Sequence, residues 1–118
     1  MPKTYLISLT LLLSIIGCLR TKADIFPGKL WPDNRGIHIN AHGGGVMKYQ
    51  KTYYWFGEHK ADSTNSARVG VTCYRSKDLN SWTYCGVALT VSDEKGSDIE
   101  RGGSIERPKV IYNAKSKQ

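Results

Sequence analysis

From Val46 onward the apolar residues come in short runs rich in aromatic and β-branched side chains, parted by polar turns. Val46 to Tyr49 and Thr52 to Gly57 are two such runs, separated only by Gln50-Lys51, which is the spacing of a β-hairpin. The polar stretch Asp62 to Ser66 leads to two more, Val69 to Arg75 and Trp82 to Leu89, flanking Ser76-Lys77-Asp78-Leu79-Asn80-Ser81. Four strands in close succession predict one antiparallel sheet. Beyond the N-terminal run no window repeats its apolar residues at a helical period, so the fold class expected is all-β. Upstream, Pro27-Gly28, Pro32-Asp33-Asn34 and Gly43-Gly44-Gly45 punctuate residues 24–44, which read as irregular. Downstream, residues 92–104 form a polar loop, and Pro108 to Asn113 begin a further strand ahead of the turn-like Asn113-Ala114-Lys115-Ser116. One four-stranded sheet plus one strand leaves an apolar face and open edges exposed to water. The chain therefore reads as the N-terminal piece of a larger domain, poorly soluble by itself.

The first residues change the picture of where the protein resides. Met1 to Lys3 give a positive start, and Tyr5 to Gly17 form an apolar run broken by Ser8, Thr10 and Ser14. That run is short for a membrane span and has the length of a signal-peptide core, so the chain is expected to be exported. Two cleavage points compete. Ile15-Ile16-Gly17-Cys18 resembles a lipobox, which would leave Cys18 lipidated and the protein anchored to a membrane; Thr21-Lys22-Ala23 suits an ordinary signal peptidase and a periplasmic or secreted product.

Charge and cysteines exclude other classes. The formal charge of +7 owes three units to Lys3, Arg20 and Lys22 of the targeting segment, leaving 14 basic residues against 10 acidic ones. Those 14 are dispersed among Asp and Glu, with no arginine-rich run, so nucleic acid is not an expected partner. Contact with a membrane would come only through a lipid anchor. Cys73 and Cys85 fall on adjacent expected strands and form either a disulfide or two small buried thiols. Neither has Cys/His ligand spacing, so no metal site is expected.

Three stretches then point to a family: Ile39-Asn40-Ala41-His42-Gly43-Gly44-Gly45-Val46 with Tyr53-Tyr54-Trp55-Phe56-Gly57-Glu58; Ser76 to Trp82 leading to Gly86 and Leu89; and Glu106-Arg107-Pro108-Lys109-Val110-Ile111-Tyr112-Asn113. In this order, over residues 31–118, the chain resembles glycoside hydrolase family 43, particularly the exo-β-1,3-galactanase-like subgroup. The resemblance implies a five-bladed β-propeller, of which only the first blade and the start of the second are present. Residues 1–23 would be the signal peptide, with a lipoprotein signal ending at residue 17, and residues 24–118 the N-terminal part of the propeller. The implied activity is inverting hydrolysis of terminal β-galactose from β-1,3-galactan or related side chains, with a polysaccharide or oligosaccharide as substrate. No cofactor is implied, a structural calcium ion in the parent propeller aside. The competing reading is a non-catalytic carbohydrate-binding exported lipoprotein.

Inversion needs a carboxylic acid on one face of the sugar and a base on the other. Most of the family carries the base as an Asp near the position of His42 and Gly43, where this chain has none, as the galactanase-like subgroup also lacks it. The general-acid Glu of the family comes from a later blade, so neither group is assigned here. By resemblance to the Glu-Arg-Pro-Lys stretch, Glu106 tunes the acid or binds sugar hydroxyls, or else forms a surface pair with Arg107 or Lys109. Lys109 stands where many members carry the pKa-modulating Asp. Arg107 offers a forked donor to neighbouring oxygens. Glu58, closing an apolar run, contacts sugar or is a solvated strand end. His42 handles a proton or a sugar contact, or supports the glycine run. Of Trp55 and Tyr54, one stacks on a sugar ring or both pack the core. Asp78 is assigned to turn capping and Trp82 to packing.

Overall fold

The computed structural model describes residues 25–60 and 66–118. The expected signal segment and Cys18 lie outside them, as does most of the polar loop before the third strand. Four strands form one antiparallel meander: β1 (His42–Tyr49), β2 (Thr52–Glu58), β3 (Gly70–Ser76) and β4 (Thr83–Thr90), in that spatial order. The described residues contain no helix, so the all-β expectation holds.

The turns explain the register. Tyr49 pairs with Thr52, leaving Gln50-Lys51 as a two-residue connection in which Gln50 takes a φ of 53°. Between β3 and β4 the Asp78 carboxylate accepts the N–H groups of Asn80 (2.9 Å) and Ser81 (2.8 Å), while Ser76 Oγ accepts those of Asp78 and Leu79. These backbone donors, Ser81 first, hold the Asp78 carboxyl well below the ordinary carboxylate range, which is the capping role expected of it.

The core lies on one face of the sheet. Tyr53 and Trp55 alternate along β2 and meet Tyr74 of β3 and Tyr84 of β4; the segment before β1 covers them with Trp31, Ile39 and Ala41, and Trp82 closes the cluster. Trp55 lies 5.8 Å from Trp31 and 5.3 Å from Trp82, centroid to centroid, in tilted contacts that favour aromatic pairs. The covering segment is pinned by polar bonds. The buried Asp33 carboxylate accepts from the Arg35 guanidinium at 2.6 Å and from the Arg35 N–H at 2.8 Å, and the same guanidinium lies 3.6 Å over the Tyr84 ring. The Asn40 N–H donates to the Tyr74 hydroxyl at 3.1 Å.

Two boundaries differ from the sequence reading. The glycine run belongs to β1, which starts at His42 and carries an irregularity between His42 and Gly45. Close strand pairing is the reason: a Cβ on Gly44 would sit on the Phe56 carbonyl oxygen, so here glycine permits a strand where it was read as breaking one. The further strand expected over Pro108 to Asn113 is not formed. That segment has no backbone ladder and is held by side chains alone, as described below. The loop of residues 92–104, by contrast, is well tied: Arg101 pairs with Asp93, the Ser92 N–H bonds the Ile99 carbonyl, and the Gly102 N–H bonds Ala67.

Candidate functional site

Of the residues singled out in the sequence, His42, Glu58 and Arg107 lie where β1 begins and β2 ends, with Glu106 next to Arg107 in the chain. His42 pairs with Glu58 across the two strands. Residues 107–112 run beside β1 in the same direction: Arg107 packs on Gly43, the Lys109 stem on Gly45, and the Tyr112 ring 4.5 Å from that of Tyr49. The Lys109 ammonium donates to the Gly44 carbonyl at 2.7 Å and to the Gly43 carbonyl at 3.3 Å. Glycines at 43 and 45 leave room for these long side chains against the β1 main chain, and Arg107 itself takes a φ of 48°. Glu106 stands exposed at the head of this segment. The ion pairs among the described residues are Asp33 with Arg35, Glu58 with Lys60 and Asp93 with Arg101, so Glu106 forms none with Arg107 or Lys109.

Glu58 is not a solvated strand end. Only 1% of it is exposed; Oε2 accepts from the Lys60 ammonium at 2.9 Å, and Oε1 has no partner among the described residues. Lys60 is fixed by Asn40, whose amide donates to the Lys60 carbonyl (2.7 Å) and accepts the Lys60 N–H (2.8 Å). Asn40 is held in turn by the Thr72 hydroxyl, which donates to its carbonyl. A buried carboxylate oxygen lacking a donor is short of a bond worth about 1–3 kcal/mol, so Glu58 is set to receive a hydroxyl or N–H. The buried Nδ1 of His59 is also without a partner. Sequence reasoning missed Asn40, His59 and Lys60. The signal available was the polar run Glu58-His59-Lys60 closing an aromatic strand, and nothing in spacing tied Asn40 to it.

Trp55 is not brought to this group. Three residues from Glu58 on β2, it projects to the opposite face, between Trp31 and Trp82 in the core. Tyr54 is half-buried on the other face with Phe56, 6.5 Å away. His42 is exposed beside the glycine run. Cys73 and Cys85 are both free thiols; Cys73 is buried, whereas Cys85 is exposed, which departs from the picture of two buried thiols. Burial first, then the neighbouring Cys85, pushes the Cys73 thiol up to about 12. Among the described residues no three His, Cys, Asp or Glu side chains are grouped to hold a metal. A separate apolar cleft of about 690 Å³, lined by Phe26, Leu30, Trp31, Asn80 and Trp82, lies away from Glu58 and Arg107.

No family model matches the chain, and no curated protein matches it. Solved structures do. A GH43 β-1,3-galactosidase with galactodeoxynojirimycin is 53% identical over 78% of this chain, with a TM-score of 0.74. The exo-β-1,3-galactanase of Clostridium thermocellum is 44% identical over 78% (TM-score 0.66), and that of Phanerochaete chrysosporium, with β-1,3-galactotriose, 39% over 78% (TM-score 0.72). The chain spans 27%, 19% and 21% of those three chains, respectively. In sequence and in strand arrangement alike, over one four-stranded propeller blade, this chain thus resembles glycoside hydrolase family 43 and, within it, the exo-β-1,3-galactanases.

Proposed function

We propose that this chain contributes the first blade, and the segment leading from it, to an exported glycosidase that removes terminal β-galactose from β-1,3-galactan or related side chains with inversion. The observation that carries the proposal is the 53% identity, over most of the chain, to a β-1,3-galactosidase. The local chemistry supports it. Glu58 presents one buried oxygen without a donor, and a sugar hydroxyl is a donor of the right kind. Arg107, beside Gly43, reaches neighbouring hydroxyl oxygens with a forked donor, and Glu106 binds a hydroxyl or adjusts the general acid by its charge. His42 borders the same place. Trp55 keeps the core role. In this reading residues 1–23 direct export, with Cys18 the lipid-bearing residue if the lipobox is used and the membrane reached only through that lipid.

The test is a transplant. Residues 25–118 replace the matching stretch of the 53% identical galactosidase, and galactose release from β-1,3-galactotriose is followed. The chimera is expected to release galactose, and Glu106→Gln to lower kcat/KM by roughly 10²-fold or more, the scale of acid–base assistance. A folded chimera that releases no galactose would overturn the assignment. Unchanged turnover and affinity in Glu106→Gln would remove Glu106 from the site.

A further inference from the structure

We propose that Cys73 and Cys85 are a redox pair that closes to a disulfide across β3 and β4. Cys73 pairs with Gly86 and Tyr74 with Tyr84, so Cys85 is the extra residue of a bulge that faces the step from Cys73 to Tyr74. The two thiols are neighbours across the bulge, close enough for the Cys85 side chain to act on the Cys73 thiol, and a disulfide tolerates Cα separations over a range of roughly 4.4–6.8 Å. Neither sulfur is strongly engaged. Cys73 Sγ donates to the Tyr74 carbonyl at 3.9 Å and Cys85 Sγ to that of Thr83 at 3.5 Å, both weak bonds. Gly86, next to Cys85, has no atom within 4 Å of where a side chain would be, so the bulge has space to adjust.

The two thiols have unequal parts. Cys85 is exposed and meets an oxidant first; Cys73 is buried and completes the bond. With oxidised glutathione, Cys85 Sγ attacks one sulfur as the thiolate, the glutathione S–S bond breaks, and one glutathione leaves with the proton that Cys85 gave up. Cys73 then loses its proton, attacks the Cys85 sulfur of the mixed disulfide and expels the second glutathione as a thiol. Two protein thiols are oxidised and one glutathione disulfide is reduced to two thiols. Because the Cys73 thiol sits near 12, its thiolate is scarce at neutral pH, and closure is the slow step.

The full chain carrying Cys18→Ser, so that the third cysteine does not compete, is incubated with oxidised glutathione in buffer and in urea. It is then alkylated and digested with trypsin without reduction. A linked pair of peptides, residues 69–75 and 78–95, is expected by mass spectrometry. Its yield should be at least tenfold higher in buffer than in urea, where the sheet no longer aligns the thiols. The glutathione adduct on Cys85 should appear first, and its closure should accelerate about tenfold per pH unit between pH 7 and 9, as the scarce thiolate grows. Cys85→Ser should abolish the pair. A stable Cys85 adduct that never closes, or equal yields in buffer and urea, would overturn the proposal.

Discussion

Replacing Gly57 by Ala tests the close approach of β2 to the segment before β1. The added Cβ would lie 2.2 Å from the Ala41 carbonyl carbon and oxygen, where ordinary contact begins near 3.4 Å, a shortfall of 1.2 Å. No rotation relieves it, since the colliding atoms are main chain on both sides. The neighbouring Asn40 is tied to Tyr74, Thr72 and Lys60, so the backbone cannot withdraw without breaking those bonds. Overpacking of this kind costs about 1–3 kcal/mol, and the upper end applies because no flexible side chain can yield. Trp31, Trp55 and Trp82 all lie in or against the core cluster, so tryptophan fluorescence during urea unfolding reports its loss. With a denaturant slope of about 1–3 kcal/mol per molar, the midpoint should fall by about 1 M or more. Ala41→Gly should not rescue it, because the collision is with the Ala41 main chain and not its methyl group. A midpoint unchanged in Gly57→Ala, or restored in the double variant, would refute the reasoning.

The same assay reaches two further features. Tyr74→Phe strands the Asn40 N–H and should cost about 1–3 kcal/mol, with Tyr74→Leu worse because the ring contact with Tyr84 is lost as well. Asp33 and Asp78 have carboxyls lowered from 3.8, Asp33 chiefly by the Arg35 hydrogen bond and Asp78 by the backbone donors of its turn. A lowered folded value means that their stabilisation is present above the ordinary carboxylate value and is lost as pH falls below about 4. The urea midpoint should therefore decline on acidification through that range, and less steeply in Asp33→Asn; an identical acid decline in the variant would count against it.

What the sequence disclosed, and what it hid, follows from the range of the interactions. The four strands and both turns were legible because alternation and turn chemistry are local: Gln50-Lys51 and Asp78 act within a few residues of themselves. The start of β1 was misread because the three glycines look like a break, and only the proximity of the Phe56 carbonyl shows why they suit a strand. The strand expected over residues 108–113 failed for the opposite reason. Its apolar pattern is that of a strand, but pairing needs a ladder partner, which pattern alone does not supply. At the site, Glu58 and the 106–109 stretch were found through their motifs, while the Asn40 clamp on Lys60 joins residues twenty apart and leaves no periodic trace.

The seam between β1 and residues 107–112 is set by the reach of three side chains, those of Arg107, Lys109 and Tyr112, rather than by the fixed rung of a peptide ladder. Its width is thus a side-chain property. A shorter or bulkier residue at 109, or a Cβ at 45 where the Lys109 stem is the neighbour, would reshape the gap where Arg107 and His42 stand without sacrificing a single strand-to-strand amide bond. The aperture can be retuned while the sheet behind it stays whole.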